Sequence, residues 1–441
     1  MRGAGVALLL SLWLAVPLAQ RAGYPSDEFA TRRQRLAKAL GEGSLVMFGA
    51  TEPAAGVRFR QDNDFYYLTG NESLGAALIV DVPGGTSHLF LPPQDAVDIR
   101  YNGTNWLQES DAARRRGFTS IRPVSELYET LARRRAVSGP NIVWLRLSER
   151  DEVDTGRYDT ALGTARRLAS PFAQHVSEDA TRAATFRLQF PYLELRDVTP
   201  HIDGLRLIKS AREIETMTRN GLISAQAMER AIRATAPGRH EYELEAEASY
   251  WMVRHGVQGA AYPAIVGSGP MANRWHYQDN GRQMQAGELV VMDYGGSLDY
   301  TTMDITRTWP VSGRFTDAQL KAYRTVLEAE EAIIAAIRPG VTRETVRKLA
   351  QEIYRRNGFD PLYAYVGHYV GMSVHDVGDW NLPFREGMVM AIEPIIDLPE
   401  QQLHVRIEDT IVVTATGARI LTGGVAKDVE GVTRLVGTAT R

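Results

Sequence analysis

The feature that most constrains this chain is a pair of acidic residues on each of two apolar hairpins. Residues 289–311 contain two β-rich runs around the turn sequence GGSLD, and a turn centred on Leu298 and Asp299 would place Asp293 directly opposite Asp304. Opposed side chains have Cβ atoms about 4.5–5.5 Å apart, where two like charges destabilise a sheet unless a cation lies between them. The first hairpin therefore predicts a cation site.

A second hairpin repeats the arrangement. In residues 388–413, a turn at Glu400 and Gln401 would place Glu393 opposite Glu408. Both acids belong to apolar strands, where a lone carboxylate is disfavoured. Two acid pairs that both mirror their turns are unlikely to arise by coincidence.

The four acids together need a compensating charge, which two divalent ions would supply and one would not. Adjacent metals bridged by carboxylates lie about 3.5–4 Å apart and activate a shared water. Arg406 lies two residues from Glu408, so it is predicted to share its face of the strand and to be its outer partner. The segment YVGHYVGMSVHDVG offers His368 and His375 as candidates for a ligand of a different kind.

Composition narrows the chemistry further. The chain has no cysteine, which excludes disulfides, thiolate ligands and cysteine nucleophiles, so a metal would be held by carboxylates, imidazole, carbonyls or water. A formal net charge of -3 gives no indication of a nucleic-acid partner. A length of 441 residues favours two domains over one.

The predicted elements divide the chain near residues 191–205, where Pro191, Pro200 and Gly204 interrupt the pattern. We predict an N-terminal α/β domain over residues 24–195 and an α+β domain over residues 200–441. In the first domain we predict a helix at 27–40, strands at 44–50, 64–70 and 141–147, and a hairpin around Gly84 and Gly85. In the second we predict helices at 207–234, 241–255, 316–338 and 342–357, with strand pairs between and after them.

The first 22 residues have the pattern of a secretory signal. Arg2 gives a basic start, and the apolar stretch at 6–19 is short for a membrane span and suited to the core of a signal. Ala19 or Ala22 could occupy the last signal position. We therefore expect an exported protein, periplasmic or secreted, with no stable membrane association after cleavage. An uncleaved membrane anchor is the alternative.

Several motifs of the second domain occur together in one known family. IVGSGP, MDYGG with DITRTWPV, GHYVG with VHDVG, AIEP and VRIED resemble the proline-specific branch of the pita-bread (creatinase/aminopeptidase) metallopeptidases, family M24. FRQDNDFYYLTG, residues 59–70, is similar to the N-terminal domain of aminopeptidase P. The resemblance implies an α+β pita-bread catalytic domain preceded by a smaller α/β domain. It also implies a metal-dependent hydrolase that removes an N-terminal residue before proline.

The resemblance assigns the metal ligands one by one. Asp304 and Glu408 match the bridging carboxylates, His368 and Glu393 match ligands of one ion, and Asp293 matches the chelator of the other. Glu393 also matches the group that takes a proton from the attacking water. Oxygen ligands with one imidazole suit a hard or borderline ion. Manganese is our first choice, and zinc, cobalt and iron stay open.

Two further histidines match residues that act on the substrate. His276, in RWHYQDN, and His375 match histidines that bind substrate and stabilise the tetrahedral intermediate. A structural histidine bonded to Asp376 is the alternative for His375. One departure concerns Ala364, which stands where this branch usually has the first histidine of HGxxH, so the preference for proline is in question. The segment at 378–385 is also shorter than is usual in this family, and a short segment here could reshape the rim of the substrate pocket that the resemblance implies.

The leading prediction is an Xaa-Pro aminopeptidase with a peptide substrate. A dipeptidase restricted to Xaa-Pro (prolidase) is the first alternative, and it needs a cation for the substrate carboxylate, for which Arg385 is a weak candidate. An aminopeptidase of relaxed specificity is another alternative. A third alternative is not an enzyme but a non-catalytic module that binds peptides. The presence of all five matched metal ligands argues against this alternative. The sequence leaves open whether the protein forms a homo-oligomer.

Overall fold

An N-terminal unit and a larger C-terminal unit make up the computed structural model, which describes residues 23–51, 58–82, 84–136, 141–170, 172 and 176–438. The predicted signal, residues 1–22, lies outside the described residues. No helix within the described ranges is long and apolar enough to cross a membrane.

Six strands form the centre of the N-terminal unit: β1 (Ser44–Phe48), β2 (Ala77–Asp81), β3 (Thr86–Leu91), β4 (Ser120–Pro123), β5 (Ile142–Leu145) and β6 (Glu194–Asp197). They make one mixed sheet in the order β4-β3-β2-β1-β5-β6. Its helices are α1 (Ser26–Leu40), α2 (Asn63–Thr69), α3 (Ala96–Asn102), α4 (Ala112–Arg115), α5 (Leu127–Ala136), α6 (Arg157–Leu168) and α7 (Glu178–Gln189).

Alternating side chains of β1 belong to two separate cores, as expected for a sheet with helices on both faces. Leu45 and Met47 pack with residues of α1 and α2, whereas Val46 packs with residues of α5 and α7. The predicted hairpin is confirmed, because β2 and β3 pair antiparallel on either side of Gly84 and Gly85.

The predicted strand at residues 64–70 is wrong, because this segment belongs to the helix α2. The side chain of Asp62 accepts a hydrogen bond from the Phe65 amide at the start of the helix, and Gly70 ends it in the left-handed conformation with φ 63°. All seven residues of α2 are buried. A segment buried on every side has no polar stripe, so its sequence pattern does not distinguish helix from strand.

The C-terminal unit contains six helices and eleven strands within the described residues. The helices are α8 (Thr199–Arg206), α9 (Ala211–Ala234), α10 (Glu241–Arg254), α11 (Asp317–Ala336), α12 (Arg343–Arg356) and α13 (Val429–Leu435). The strands are β7 (Gly259–Ala260), β8 (Ile265–Ser268), β9 (Leu289–Asp293), β10 (Gly296–Leu298), β11 (Thr301–Thr302), β12 (Ile305–Pro310), β13 (Val389–Ile392), β14 (Ile395–Leu398), β15 (Leu403–Arg406), β16 (Glu408–Val413) and β17 (Ala418–Ile420).

The main sheet of this unit has the order β13-β16-β12-β9-β8, with β17 paired to β16, and all of its pairings are antiparallel. The strands β7, β10 and β11 form a second sheet, and β14 and β15 form a third. The helices α11 and α12 begin where the sequence predicts, since Thr316 and Thr342 each accept a hydrogen bond from the amide of the third residue of the helix. The helix predicted at 207–234 begins later, at Ala211, with Ser210 as its cap.

The predicted register of the first acidic hairpin is wrong by two residues. The strands β9 and β12 place Thr306, not Asp304, opposite Asp293. The turn is centred on Asp299 and Tyr300, which both have positive φ, 45° and 63°. Asp304 is therefore the diagonal neighbour of Asp293. Because side chains alternate along a strand, an offset of two keeps both carboxylates on one face.

The register of the second acidic hairpin is confirmed. Ile395 pairs with Arg406 in β14 and β15, and Ile392 pairs with Asp409 in β13 and β16. The connecting loop is a short 3-10 helix, Pro399–Gln401, and not a two-residue turn. Its centre is unchanged, so the alignment of the two arms is the one expected from the sequence.

The tip of the first hairpin lies against the N-terminal unit. The ring of Tyr300 stacks on the ring of Tyr66 with centroids 3.4 Å apart, and its hydroxyl accepts a hydrogen bond of 2.8 Å from the amide of Gln61. The predicted division between residues 195 and 200 includes the second half of β6 and the first residue of α8, so the observed break between these elements, at Val198, lies within it. In α8 the side chain of Ile202 packs into the N-terminal core. The two units therefore share a contact surface close to the acidic hairpins.

Candidate metal centre

The four candidate carboxylates lie where strands of the main sheet begin or end. Asp293 is the last residue of β9 and Glu408 is the first of β16. Asp304 precedes β12, and Glu393 lies between β13 and β14. All four residues are buried. The antiparallel order of the strands brings these ends to one place in the fold.

His368 is brought to the same place by a sharp bend in the chain. Gly367 has φ 129°, and a Cβ at this position would collide with the carbonyl oxygen of Ala391. The amide of Ala391 donates a hydrogen bond of 2.9 Å to the carbonyl of His368, and the amide of Glu393 donates one of 3.2 Å to Val366. The segment carrying the histidine is thus fixed to the strand that precedes Glu393.

The imidazole of His368 lies between two of the carboxylates. Its Nε2 is 3.3 Å from Oδ2 of Asp304 and 3.4 Å from Oε1 of Glu393. Asp304, His368 and Glu408 each offer a ligand atom within 4.8 Å of the others, which is close enough for a single metal ion. The five sequence-predicted ligands therefore converge, although they come from five separate stretches of the chain.

A hydrogen-bonded network surrounds Asp293. Nη2 of Arg406 donates a bond of 2.7 Å to Oδ2 of Asp293, and its Nε donates one of 3.0 Å to the hydroxyl of Thr306. That hydroxyl donates a bond of 2.7 Å to Oε2 of Glu408. Arg406 thus connects two of the candidate ligands.

Tyr262 is a residue of the site that the sequence did not reveal. Its hydroxyl oxygen lies 2.5 Å from Oδ1 of Asp293 and 2.5 Å from Oδ1 of Asp304. Burial, followed by the charges of Asp293 and Asp304, raises the pKa of this phenol. No motif marks the residue, because its contacts arise only when residues 31 and 42 positions away fold onto it.

Burial dominates the electrostatics of the site. It raises the pKa of Asp293 to about 8 against the opposing effect of Arg406, and burial with the nearby Asp304 raises the pKa of Glu408 well above its usual range. Burial also raises the pKa of Glu393, against the charge of His368. Three carboxyl groups thus hold their protons more tightly than in water.

The Asp304 and His368 pair behaves in the opposite way. Burial acts to raise the pKa of Asp304, but the hydrogen bond and charge of His368 bring it below the usual value. Burial acts to lower the pKa of His368, but the bond to Asp304 and the charge of Glu393 raise it to about 9. The protonated imidazole therefore supplies positive charge that a bound cation would replace.

The polar atoms of the site fit a metal. The Oε1 atom of Glu408 is buried and has no hydrogen-bond partner among the described residues. A buried carboxylate oxygen without a partner is rare and costly unless an ion or a water completes it. Four carboxylates and one imidazole make up a donor set suited to divalent cations of hard or borderline character.

The two predicted substrate histidines lie beside this centre. The ring of His375 meets that of His368 edge to face with centroids 4.3 Å apart, and its Nδ1 is 2.9 Å from Oδ2 of Asp159. Asp376, the partner considered for His375 from the sequence, instead accepts bonds from Arg206 and Lys209. The alternative of a structural His375 bonded to Asp376 is therefore wrong.

His276 lies on the loop between the 3-10 helix at Gly269–Asn273 and β9, and it is exposed. Burial of its ring, followed by the charge of Arg406, lowers the pKa of His276, and Asp304 also acts on it electrostatically. His276 thus keeps an exposed face and interacts electrostatically with Asp304 of the centre.

Ala364 does not leave an open space in the pocket. Its methyl group is only 3% exposed and packs in the apolar core of the C-terminal unit. The next side chain, Tyr365, is 39% exposed. Burial of its phenol, followed by the charge of Glu393, raises the pKa of Tyr365 to about 12. The side chain near the carboxylates at this bend is thus Tyr365 and not Ala364.

A cavity of about 690 Å³ lies between the two units and borders the centre. Tyr262 and Pro263 line it from the C-terminal unit, and Arg60 and Asp151 line it from the N-terminal unit. Tyr262 is a lining residue of this cavity that also contacts Asp293 and Asp304.

Comparisons with known proteins agree with both units. Residues 215–415 match the family described as Metallopeptidase family M24, and residues 29–143 match the family described as Aminopeptidase P, N-terminal domain. The Xaa-Pro aminopeptidase of Escherichia coli K12 is 31% identical, and the alignment covers 93% of this chain and 97% of that enzyme.

Solved structures give the same result. Proline aminopeptidase P II from Yersinia pestis superimposes with a TM-score of 0.79 at 28% identity, covering 93% of this chain and 99% of the other. A zinc-substituted E. coli aminopeptidase P in complex with product superimposes with a TM-score of 0.79 at 28% identity, covering 94% and 98%. The predicted fold class, an α+β pita-bread domain after a smaller α/β domain, is confirmed.

Proposed function

This chain belongs to metallopeptidase family M24, and we propose that it is a metal-dependent aminopeptidase that cleaves the bond between an N-terminal residue and a following proline. The single observation that carries the proposal is its similarity to an Xaa-Pro aminopeptidase over almost the whole of both chains. The similarity includes the N-terminal unit and is not confined to the catalytic one.

Divalent metal ions are the cofactors that the family implies. We propose that Asp293, Asp304, His368, Glu393 and Glu408 hold two of them. When bound, the ions polarise the scissile carbonyl group and lower the pKa of a water molecule. Oxygen donors with one imidazole favour manganese as the native ion, whereas zinc also occupies a related enzyme.

The remaining chemistry falls to three side chains. Glu393 receives the proton of the attacking water, and burial, which raises its pKa, makes it a stronger proton acceptor than a carboxylate in water. His276 and His375 bind the substrate and stabilise the negative charge that develops on its carbonyl oxygen. Among the described residues, His375 has Asp159, and not a carboxylate of the centre, as its hydrogen-bond partner.

The experiment is a peptide panel with the metal-reconstituted protein. We expect release of the first residue from tripeptides with proline at position two, and slower release when alanine replaces proline. Cleavage of Xaa-Pro dipeptides alone would favour the dipeptidase alternative, and equal rates for proline and alanine would favour relaxed specificity. Absence of any cleavage by the metal-loaded protein would contradict the proposal and leave a peptide-binding module.

Export is a separate proposal that rests on the first 22 residues. The basic start at Arg2 and the apolar stretch at 6–19 support it. Expressed in a bacterium with its own N-terminus, the chain should lose roughly twenty residues and leave the cytoplasm. N-terminal sequencing checks this, and a soluble cytoplasmic protein that still begins with Met1 would contradict it.

A further inference from the structure

The N-terminal unit reaches the candidate metal centre through one short segment, residues 151–159. The amide of Val374 donates a hydrogen bond of 2.9 Å to the carbonyl of Val153. A Cβ at Gly156 would collide with the carbonyl oxygen of His375, so only glycine permits this approach. The segment therefore packs directly on the backbone that carries His375.

Buried ion pairs fix both sides of this contact. Arg206 donates hydrogen bonds of 2.6 Å to Asp151 and 2.7 Å to Asp376, and Lys209 donates one of 2.9 Å to Asp376. Arg157, the first residue of α6, donates two bonds of 2.9 Å to the buried Asp64. The start of α6 and the loop at His375 are thus held in one fixed relation.

Within this frame, one side chain of α6 contacts the imidazole beside the centre. Oδ2 of Asp159 accepts a hydrogen bond of 2.9 Å from Nδ1 of His375. The His375 ring lies 4.3 Å, centroid to centroid, from the ring of His368. A carboxylate of the N-terminal unit is therefore separated by a single side chain from a candidate metal ligand of the C-terminal unit.

We propose that Asp159 is a positioning residue for His375, supplied to the active site by the N-terminal unit; this inference rests on the proposed peptidase function. The carboxylate fixes the plane of the ring and keeps the proton on Nδ1. Nε2 is then the nitrogen that meets the substrate. In proteins, a carboxylate commonly orients a functional histidine by accepting a hydrogen bond from one ring nitrogen, which leaves the other nitrogen to act on the ligand.

The contact between Asp159 and His375 contributes little to the stability of the fold. A variant that lacks this contact should therefore still fold, so that its activity can be measured. The side chains of His375 and Asp159 are 41% and 43% exposed, and α6 has no buried residue. An exposed pair of this kind stabilises a protein only slightly. Replacing Asp159 should therefore leave the fold, the melting temperature and the metal content unchanged.

The test is a double-mutant cycle on metal-loaded full-length protein with a tripeptide that has proline at position two. We expect Asp159→Ala to lower kcat/KM on the order of 10- to 100-fold, mainly through kcat, the range seen when outer partners of functional histidines are removed. Asp159→Asn, which keeps an acceptor oxygen, should recover part of the loss. The double variant with His375→Ala should be no slower than His375→Ala alone.

Tyr158→Ala is the control, because Tyr158 directly precedes Asp159 in α6 and is 75% exposed. It should keep the kcat/KM of the unmodified protein. Additive losses in the cycle, or an Asp159→Ala variant with full activity, would overturn the inference while leaving the peptidase function in place. Loss of metal from Asp159→Ala would also overturn it, because the residue would then support the ligands and not His375.

A spectroscopic measurement tests the same contact independently of turnover. In ¹⁵N-histidine-labelled protein, with the His375 signal identified by its absence in His375→Ala, Nδ1 should carry the proton. Asp159→Ala should shift the tautomer population toward a proton on Nε2. An unchanged His375 signal in Asp159→Ala would contradict the inference about Asp159. A protein that cleaved no peptide would instead contradict the proposed function, so the two failures can be told apart.

Discussion

Arg406 donates a hydrogen bond of 2.7 Å to Asp293, a residue 113 positions away. The guanidinium opposes the effect of burial on the pKa of Asp293 and also bonds the hydroxyl of Thr306, which in turn bonds Glu408. One cation thus orients one candidate ligand directly and another through a threonine.

The first prediction follows from this geometry. Arg406→Ala should lower kcat/KM on the order of 10- to 100-fold, because an outer partner that orients a metal ligand is lost. Arg406→Lys should lose less, since it keeps the charge but not the forked hydrogen bonds. Steady-state kinetics on a tripeptide with proline at position two provide the measurement. Unchanged kinetics in the alanine variant would show that the network has no functional role.

The second prediction concerns the hydroxyl shared by Asp293 and Asp304. Tyr262→Phe keeps the ring and removes only that contact, so we expect weaker metal binding and activity lower by about tenfold or more. Metal titration followed by calorimetry measures the affinity. Tyr323→Phe is the control, because this hydroxyl is bonded to the carbonyl of Lys427, outside the candidate centre. A Tyr262→Phe variant that matches the control would contradict the assignment.

The third prediction separates ligands from residues that act on the substrate. His276→Ala and His375→Ala should each lower kcat by about 100-fold or more while keeping the metal, as expected for groups that act on the transition state. Metal analysis of the purified variants alongside kinetics makes the distinction. Metal loss from either variant would mean that the role proposed for that histidine is wrong.

The fourth prediction concerns pH. In the metal-free protein the pKa of Asp293 is raised from 3.8 to about 8, so its contribution to stability is fully present below pH 3.8 and is lost as the pH rises through 8. His368, raised from 6.5 to about 9, acts in the same direction over a higher range. We therefore expect the Tm of the metal-free protein to fall between about pH 6 and pH 9.

Metal should reverse this trend, because binding requires deprotonated carboxylates and a neutral imidazole, and so strengthens as the pH rises. Thermal unfolding with a chelator or with added manganese tests both halves of the prediction. Asp293→Asn should flatten the metal-free profile, since its amide does not titrate. A metal-free Tm that rises across the same interval would refute the sign of these shifts.

The sequence indicated which acidic residues belong to the site, but it indicated the strand pairing correctly for only one of the two hairpins. Glu393 and Glu408 were aligned correctly because their loop is centred where the polar residues indicate. The turn of the first hairpin is centred on Asp299 and Tyr300, which both take positive φ. Asp adopts this conformation more readily than most residues, but Tyr rarely does, so the sequence does not indicate this centre. Tyr300 of this turn stacks on Tyr66 of the N-terminal unit. A contact between residues so far apart in the chain does not appear in the local sequence pattern.

The residues that were missed have distant partners. The phenol of Tyr262 finds its acids only after folding, and Asp159 lies 216 positions from His375. Neither belongs to a spacing pattern, so no local rule identifies it. The position of Ala364 is a related case, because its burial in the apolar core depends on packing that the sequence motif does not show.

The most direct test of the central claim is the metal content of the reconstituted protein, measured by elemental analysis for the unmodified chain and for Asp304→Ala. Four buried carboxylates require about two divalent ions per chain to balance their charge, so we predict that stoichiometry for the unmodified protein. Asp304→Ala should bind less metal and be inactive, because the proposed bridging ligand serves both ions. An unmodified protein that binds no metal, or an Asp304→Ala variant with full metal content and activity, would contradict the account.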